Sequence, residues 1–353
     1  MPEMSSEAPT PEATVYDLVD EKCTSEQISN LFRDFKEVNP KEVLVSGSKV
    51  DLLGRLRRLV SKNIVPIQRV VDLLRECEEN GDQHIFYLKP RSAEVVKLCR
   101  DGGDHFASSL WGEEYDYMGF PSFDRIPQTF VWSDFRAGLS GKPKDWLAKI
   151  YGHEVHDKFK HEIRDARGDL IKYYLRVEDR PVCLVRWNDP DLLELRIPRA
   201  TTLGTVRQRL ETVWEMMRPA FDPSQFEAWD MDKVRRKLLS ERGADPWQKI
   251  YRLSSMEFID SSSGRASFLP HTDDENADDA IERTAAIDAY LTGGGNCHHL
   301  VVTWLPKESA GKLATELKAV SGGKHTNELV IAAKTTFDAI DYVTNRLREL
   351  DRD

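Results

Sequence analysis

No run in this sequence approaches the roughly 20 consecutive apolar residues that a membrane-spanning helix needs. The N-terminus, MPEMSSEAPTPEATVYDLVDE, lacks a basic start followed by an apolar core, so it does not read as a secretory signal. Cysteine is scarce. The five present (Cys23, Cys77, Cys99, Cys183 and Cys297) are scattered, odd in number and never spaced as C-x-x-C. That argues against a zinc ribbon or a disulfide framework, and the expected compartment is a reducing one, cytoplasmic or nuclear or nucleoid-associated, not secreted. No Walker loop, dinucleotide fingerprint or Gly-x-Ser-x-Gly elbow is present. The triple glycine at 293–295 does not follow a strand and open a helix, so it lacks the setting of a phosphate loop. Positive charge is also in deficit: 50 Lys and Arg against 60 Asp and Glu leave a net charge of −10. Such a chain does not coat nucleic acid wholesale, although local patches can bind against the net field.

What is present suits a soluble globular chain long enough, at 353 residues, for two cores. Residues 1–13 are small, polar, acidic and proline-bearing, and are expected to be disordered. Helical patterning follows. Thr24 to Gln27 has the form of a capped helix start, with Ile28, Leu31, Phe32 and Phe35 on one face. Ser48 can cap a second helix with Asp51 three residues on, and Leu52, Leu53, Leu56, Leu59 and Val60 share its apolar face. A third opens with Pro66 at or near its first position and stops at Asn80-Gly81, before an extended run from His84 to Leu88.

The stretch 160–199 is the plainest element signal. Turn residues at 166–168, 178–181 and 188–190 cut it into four short runs rich in β-branched, leucine and aromatic residues. These are expected to form an antiparallel meander. Beyond it, helices are expected from Thr201 or Thr202 to Pro219, from Met231 to Glu241 with Lys233, Arg235, Arg236 and Lys237 outward, from Glu275 to Leu291, and from Thr335 or Thr336 onward. Hairpins are expected around 261–264 and 321–324, with a strand from His298 to Leu305. The expected fold class is α+β: an N-terminal helical module followed by a mostly antiparallel sheet domain with covering helices.

The run Leu44, Val45, Ser46, Gly47, x, Lys49, followed by Leu52, Leu53 and Leu56, resembles the second half of a SAP motif, a short DNA-binding helix–extended–helix module. The resemblance covers 44–56 and, more loosely, the helix before it. It implies that Ser46, Gly47 and Lys49 form the turn, that the leucines are core, and that Arg55 and Arg58 face solvent or phosphate. Between Lys41 and Arg69 there are seven basic residues against two acidic ones. Lys49, Arg55, Arg57, Arg58 and Lys62 are therefore the candidate nucleic-acid contacts, set against the plainer reading of a solvated helix face. Separately, the order of a helical module, an extended aromatic run and a large mixed α/β part is similar to that of the kinetochore centromere-protein-N family. That family reads a nucleosome through a death-domain-like module and its adjoining domain. The expected divisions are a tail at 1–13, a SAP-like or death-domain-like helical module at 14–99, an aromatic and glycine-rich connector at 100–145, and the α+β domain at 146–353, with a candidate sub-boundary near 243–249.

Other candidates carry less. His153-Glu154-Val155-His156 is one residue short of the zincin helix motif and reads as a polar helix or turn entering the sheet, with His161 nearby. His271, Asp273, Asp274, Glu275, Cys297, His298 and His299 offer ligand and nucleophile types. Adjacent histidines on a strand point oppositely, however, and only Cys297 and His299 could share a face. The connector aromatics (Trp111, Tyr115, Tyr117, Phe120, Phe123, Phe130, Trp132 and Phe135) read as packing, or alternatively as a stacking surface. Three functional readings stay open. The first is a non-enzymatic binding protein docking on DNA or a DNA-bound complex through the helical module. The second is a protein–protein adaptor with no DNA contact. The third is an enzyme or metal protein using His271, Cys297 and His299. No cofactor or membrane partner is expected.

Overall fold

The chain is described from a computed structural model, over residues 11–111, 128–164, 167–200, 202–260, 262–272 and 275–352. Four helices come first: α1 (Pro11–Lys22), α2 (Ser25–Lys36), α3 (Lys49–Ser61) and α4 (Ile67–Glu79). α2 and α3 both begin in capping boxes, Thr24 with Gln27 and Ser48 with Asp51, each satisfying two otherwise orphaned backbone donors. Ile28 and Phe32 of α2, Leu52, Leu56 and Leu59 of α3, and Val70, Val71 and Leu74 of α4 close with Val15 and Val19 of α1 into one core. Helix thus replaces the expected tail from Pro11 on; residues 1–10 lie outside the described residues. Pro66 is the N-cap of α4.

Gly81 turns α4 into the sheet at φ +81°, and a Cβ there would lie 2.1 Å from the Ala333 carbonyl oxygen, so only glycine fits. The sheet-forming part then runs β1 (Gly81–Pro90), α5 (Ala93–Trp111), β2 (Val131–Ala137), β3 (Trp146–Tyr151), β4 (Glu154–Arg164), β5 (Leu170–Asp179), β6 (Val182–Asn188), β7 (Leu192–Pro198) and α6 (Leu203–Met217). It continues with β8 (Phe226–Ala228), α7 (Met231–Ser240), α8 (Trp247–Ile250), β9 (Tyr251–Ile259), β10 (Arg265–Phe268), α9 (Ile281–Thr292), β11 (Asn296–Trp304), β12 (Leu317–Gly322), β13 (Glu328–Lys334) and α10 (Phe337–Arg352). Eleven strands form one sheet in the order β10-β9-β11-β12-β13-β1-β7-β6-β3-β2, with β8 against the end of β1. The pairings are antiparallel, and the class is α+β, as the patterning indicates.

β1 is the hinge of this order. Its Ile85 and Tyr87 belong to the core under α7 and α10, and its Phe86 and Leu88 to the core under α5 and α6. The sheet therefore begins at Gly81, well ahead of residue 146. The stretch read as a connector from residue 100 holds the end of α5 and all of β2. Phe106 and Phe135 are buried there, and Phe106 stacks on Trp146 at 4.6 Å. Tyr115, Tyr117, Phe120 and Phe123, and the side chain of Trp111, lie outside the described residues.

Three further expectations are corrected. The four strands of the expected meander exist, but they do not form one sheet: β6 pairs with β3 and β7, while β4 and β5 pair only with each other among the described residues. β6 and β7 are buried along their length because the strands enter the sheet centre with helices on both faces, whereas β4 and β5 stand in solvent. Arg235 points inward, bonding the Cys297 carbonyl and the Ser321 hydroxyl at 3.1 Å, because α7 lies across β11 and β12. The helix expected from Glu275 begins only at Ile281.

Candidate functional site

The five basic residues singled out on α3 and at its C-cap are brought onto one module, and four of them are engaged within it. Lys49 pairs with Asp20 of α1 at 3.6 Å, and Arg57 with Asp17 at 3.7 Å while lying over the Tyr16 ring at 5.3 Å. Lys62 holds Glu42 at 2.7 Å. Arg55 donates to the carbonyls of Leu44 and Ser46, fastening the linker that precedes its own helix. Arg58 is exposed, and its guanidinium makes no ion pair among the described residues. The acids that balance the patch come mainly from α1, outside the window in which its charge was counted. The Asp51 carboxyl is held below the usual range by the Ser48 hydroxyl and backbone N–H.

The second cluster does not assemble. Cys297 is buried in β11, its thiol hydrogen-bonded to the His299 carbonyl at 3.5 Å, and burial pushes it up to about 11. A bulge between Cys297 and His299 breaks their register against β9. His271 lies on the surface, its N–H donating to the Glu275 carboxylate; Asp273 and Asp274 lie outside the described residues. His153 lies just before β4 and His156 within it, an extended segment rather than a helix or turn, beside Glu178 and Asp179 of β5. Among the described residues no three His, Cys, Asp or Glu groups converge as a metal site, and no helix is long and apolar enough to cross a membrane.

Sequence reasoning missed two buried ionic networks that seat the covering helices on one face of the sheet. Glu79, at the end of α4, takes Lys149 of β3 at 2.8 Å and Arg136 of β2 at 2.5 Å. Burial drives the Glu79 carboxyl up, but Lys149 and Arg136 outweigh it and leave it at about 2. Its neighbour Glu78 receives Arg180 and the Tyr151 hydroxyl, whose pKa burial pushes up to about 12. Further along, Arg186 of β6 meets Asp341 of α10 at 2.7 Å, Asp145 at 3.1 Å and Glu194 of β7 at 3.4 Å. Burial likewise raises Glu194, and Arg196 and Arg186 outweigh it to leave the carboxyl at about 2. These side chains alternate with apolar ones along β3, β6 and β7, a pattern that reads as one solvated face. Nothing local says that α4 and α10 cover it.

Exposed large apolar side chains cluster on the β4–β5 ribbon. Its base is pinned where Gly152 donates to the Pro181 carbonyl at 2.9 Å; a side chain there would strike the Phe130 ring at 2.7 Å. Glu154 adds a forked pair with Arg209 of α6. Beyond the base both strands are exposed among the described residues. A bulge at Lys160 shifts the register, so Phe159 faces Tyr174 and His161 stacks on Tyr173 at 4.7 Å. One face carries Ile163, Ile171, Tyr173, Leu175 and Val177; the other carries Val155, Phe159, Tyr174 and Leu170 between the facing opposite charges Asp157/Arg176 and Glu162/Lys172. Eight of these large side chains, Val155, Phe159, Ile163, Leu170, Ile171, Tyr173, Tyr174 and Leu175, are 40–55% exposed. Clustered exposure of this kind is uncommon on a protein surface, where isolated apolar residues are ordinary. The sequence signal was the lack of alternation: both faces carry apolar residues although only two strands are present to bury them.

No family model, curated protein or solved structure matches this chain.

Proposed function

We propose that the chain acts by binding rather than by catalysis, as a protein–protein adaptor whose β4–β5 ribbon docks on a partner protein. The ribbon's eight exposed large apolar side chains carry this reading. Residues 154–179 hold six basic and seven acidic side chains, so the ribbon has no attraction for a phosphate backbone. A ten-residue strand is about 33 Å long, and two paired strands present two faces of roughly 330 Å² each. Only a partner that clasps both faces approaches the ~800 Å² per side of a standard specific interface. The outer backbone edges of β4 and β5, unpaired among the described residues, suit addition of an extended segment from that partner. Two copies stacked tip to base through the face of Ile163, Ile171 and Leu175 fit poorly, since Lys158 then meets Lys158 and Glu154 and Asp179 oppose Ile163 and Ile171.

The test is affinity purification after nuclease treatment, comparing the full chain with a Phe159→Ser, Leu175→Ser variant. A stoichiometric partner that co-elutes with the first and not the second supports docking, provided that it protects the 154–179 amides from hydrogen exchange. Equal recovery with the variant refutes it.

DNA contact through α3, in this chain or as part of a DNA-bound complex, is the second reading. Exposed Arg58 favours it, as does the weakness of exposed ion pairs, worth about 0–1 kcal/mol, which phosphates can replace. The similarity in element order to the centromere-protein-N family belongs with that proposal. Anisotropy of a labelled duplex at two salt concentrations tests it. Binding that is absent at low salt, or that survives Arg58→Glu unchanged, counts against it.

A further inference from the structure

A cavity of about 430 Å³ opens between the turn at Asp189 and Pro190, the loop around Glu308 to Lys312 and the outer face of α10. Tyr342, Arg346, Glu349 and Arg352 follow one another at helical spacing, so one stripe of α10 forms a wall. Five cations line the cavity against three carboxylates, an excess of two positive charges on a chain of net charge −10. The cations are held unequally. Arg348 is committed to the Asn188 side chain and carbonyl and to Asp191 at 2.9 Å, and forms a fixed floor. Lys142 is only loosely paired, 3.6 Å from Asp341 and 3.9 Å from Asp145. Lys312 and Arg352 make no ion pair or side-chain hydrogen bond among the described residues.

Arg348 is spent on Asn188 and Asp191, and the Arg346 guanidinium lies over the Tyr342 ring at 5.2 Å, so the cations placed to meet an anion are Lys312, Arg352 and Lys142. The carboxylates restrict which anion. Glu349 is occupied by Arg346 at 2.7 Å, and Asp189 by Arg100 at 2.7 Å, which leaves Glu308 as a negative group at the rim. A continuous polyanion such as a duplex backbone would be repelled there. A single phosphoryl group flanked by basic side chains would not.

We propose that this cavity binds a phosphorylated serine or threonine in a basic segment of another protein. Lys312, Arg352 and Lys142 contact the phosphoryl oxygens, and Glu308 meets a flanking cation. A phosphate monoester suits this arrangement because it brings close to two negative charges and three acceptor oxygens to donors converging from several elements. The site is distinct from the ribbon and does not depend on it.

The experiment is fluorescence polarisation of the full chain with a labelled pentapeptide carrying central phosphoserine, glycine on either side and lysine at each end. The unphosphorylated peptide and a short single-stranded DNA are measured beside it. The phosphopeptide is expected to bind at least about tenfold more tightly than its serine counterpart, the effect of one or two charge-assisted hydrogen bonds. Inorganic phosphate should compete. Lys312→Glu with Arg352→Glu should bring the phosphopeptide down to the serine level with no change in melting temperature; if that pair unfolds the chain, Lys312→Gln serves instead. Equal binding of the two peptides overturns the proposal, as does phosphopeptide binding unaffected by the substitutions. DNA binding that is equally tight and equally lost in the variant also overturns it, in favour of a general polyanion surface.

Discussion

Replacing Lys149 with methionine should cost this protein about 3–5 kcal/mol of stability. Lys149 is fully buried, 2.8 Å from Glu79 and 3.4 Å from Glu78, and methionine fills much the same volume without the charge. The loss therefore comes from leaving carboxylates buried and underpaired, which is expensive in a low-dielectric interior. The carboxyl itself gives a second route to the size of the effect. Glu79 stands at about 2 in place of an ordinary 4.5, and one pKa unit corresponds to about 1.4 kcal/mol, so its pairing contributes about 3 kcal/mol. Because the folded value is depressed, that contribution is fully present above pH 4.5 and is lost as pH falls toward 2. Without Lys149 the buried carboxyl is easier to protonate, and the acid limb should move to higher pH. Urea unfolding followed by tryptophan fluorescence, repeated from pH 7 down to pH 3, measures both quantities. Adding Glu79→Gln to the variant should return part of the loss, since one buried charge then needs no partner. A loss below about 1 kcal/mol, the range of an exposed ion pair, would refute the reasoning, as would an acid limb that stays where it is.

Four other outcomes follow from particular contacts. Ser48→Ala removes the α3 cap and should cost about 1 kcal/mol in the same urea titration. Arg55→Glu should destabilise the helical module, because Arg55 holds the Leu44 and Ser46 carbonyls, whereas Arg58→Glu should be neutral within about 0.5 kcal/mol; circular dichroism melts separate the two. If α3 contacts about four phosphates, log K for DNA should fall with log salt at a slope of roughly −3 to −4 in anisotropy titrations. Cys297, buried with its thiol pushed up to about 11, should resist a thiol-reactive dye at pH 8 in the native chain and react fully in guanidinium; rapid native labelling would contradict its placement.

The sequence by itself determined the parts of this protein whose causes lie within a few residues. Thr24, Ser48 and Thr202 cap the helices that follow them, and Thr336 bonds the first turn of the last one, because a hydroxyl at that position satisfies a backbone donor two or three residues on. Asn80 and Gly81 end α4, and the Gly322 and Gly323 region turns β12 into β13. The four strands between Glu154 and Pro198 were legible for the same reason. Only the tertiary structure decided which strands meet. β6 leaves β5 for β3 because Val185 and Trp187 then bury under α5 and α6, a gain that comes from residues far away in the chain. Charge was the least legible property. Lys49 and Arg57 looked unopposed until α1 folded against them, Arg235 looked solvated until α7 lay over β11, and nothing in the spacing of Lys149, Arg186 and Glu194 marked the face that α4 and α10 cover. A hydrogen bond to a neighbour along the chain is written in the spacing of residues, whereas the partner of a charge is fixed only when distant elements pack, and spacing carries no record of that.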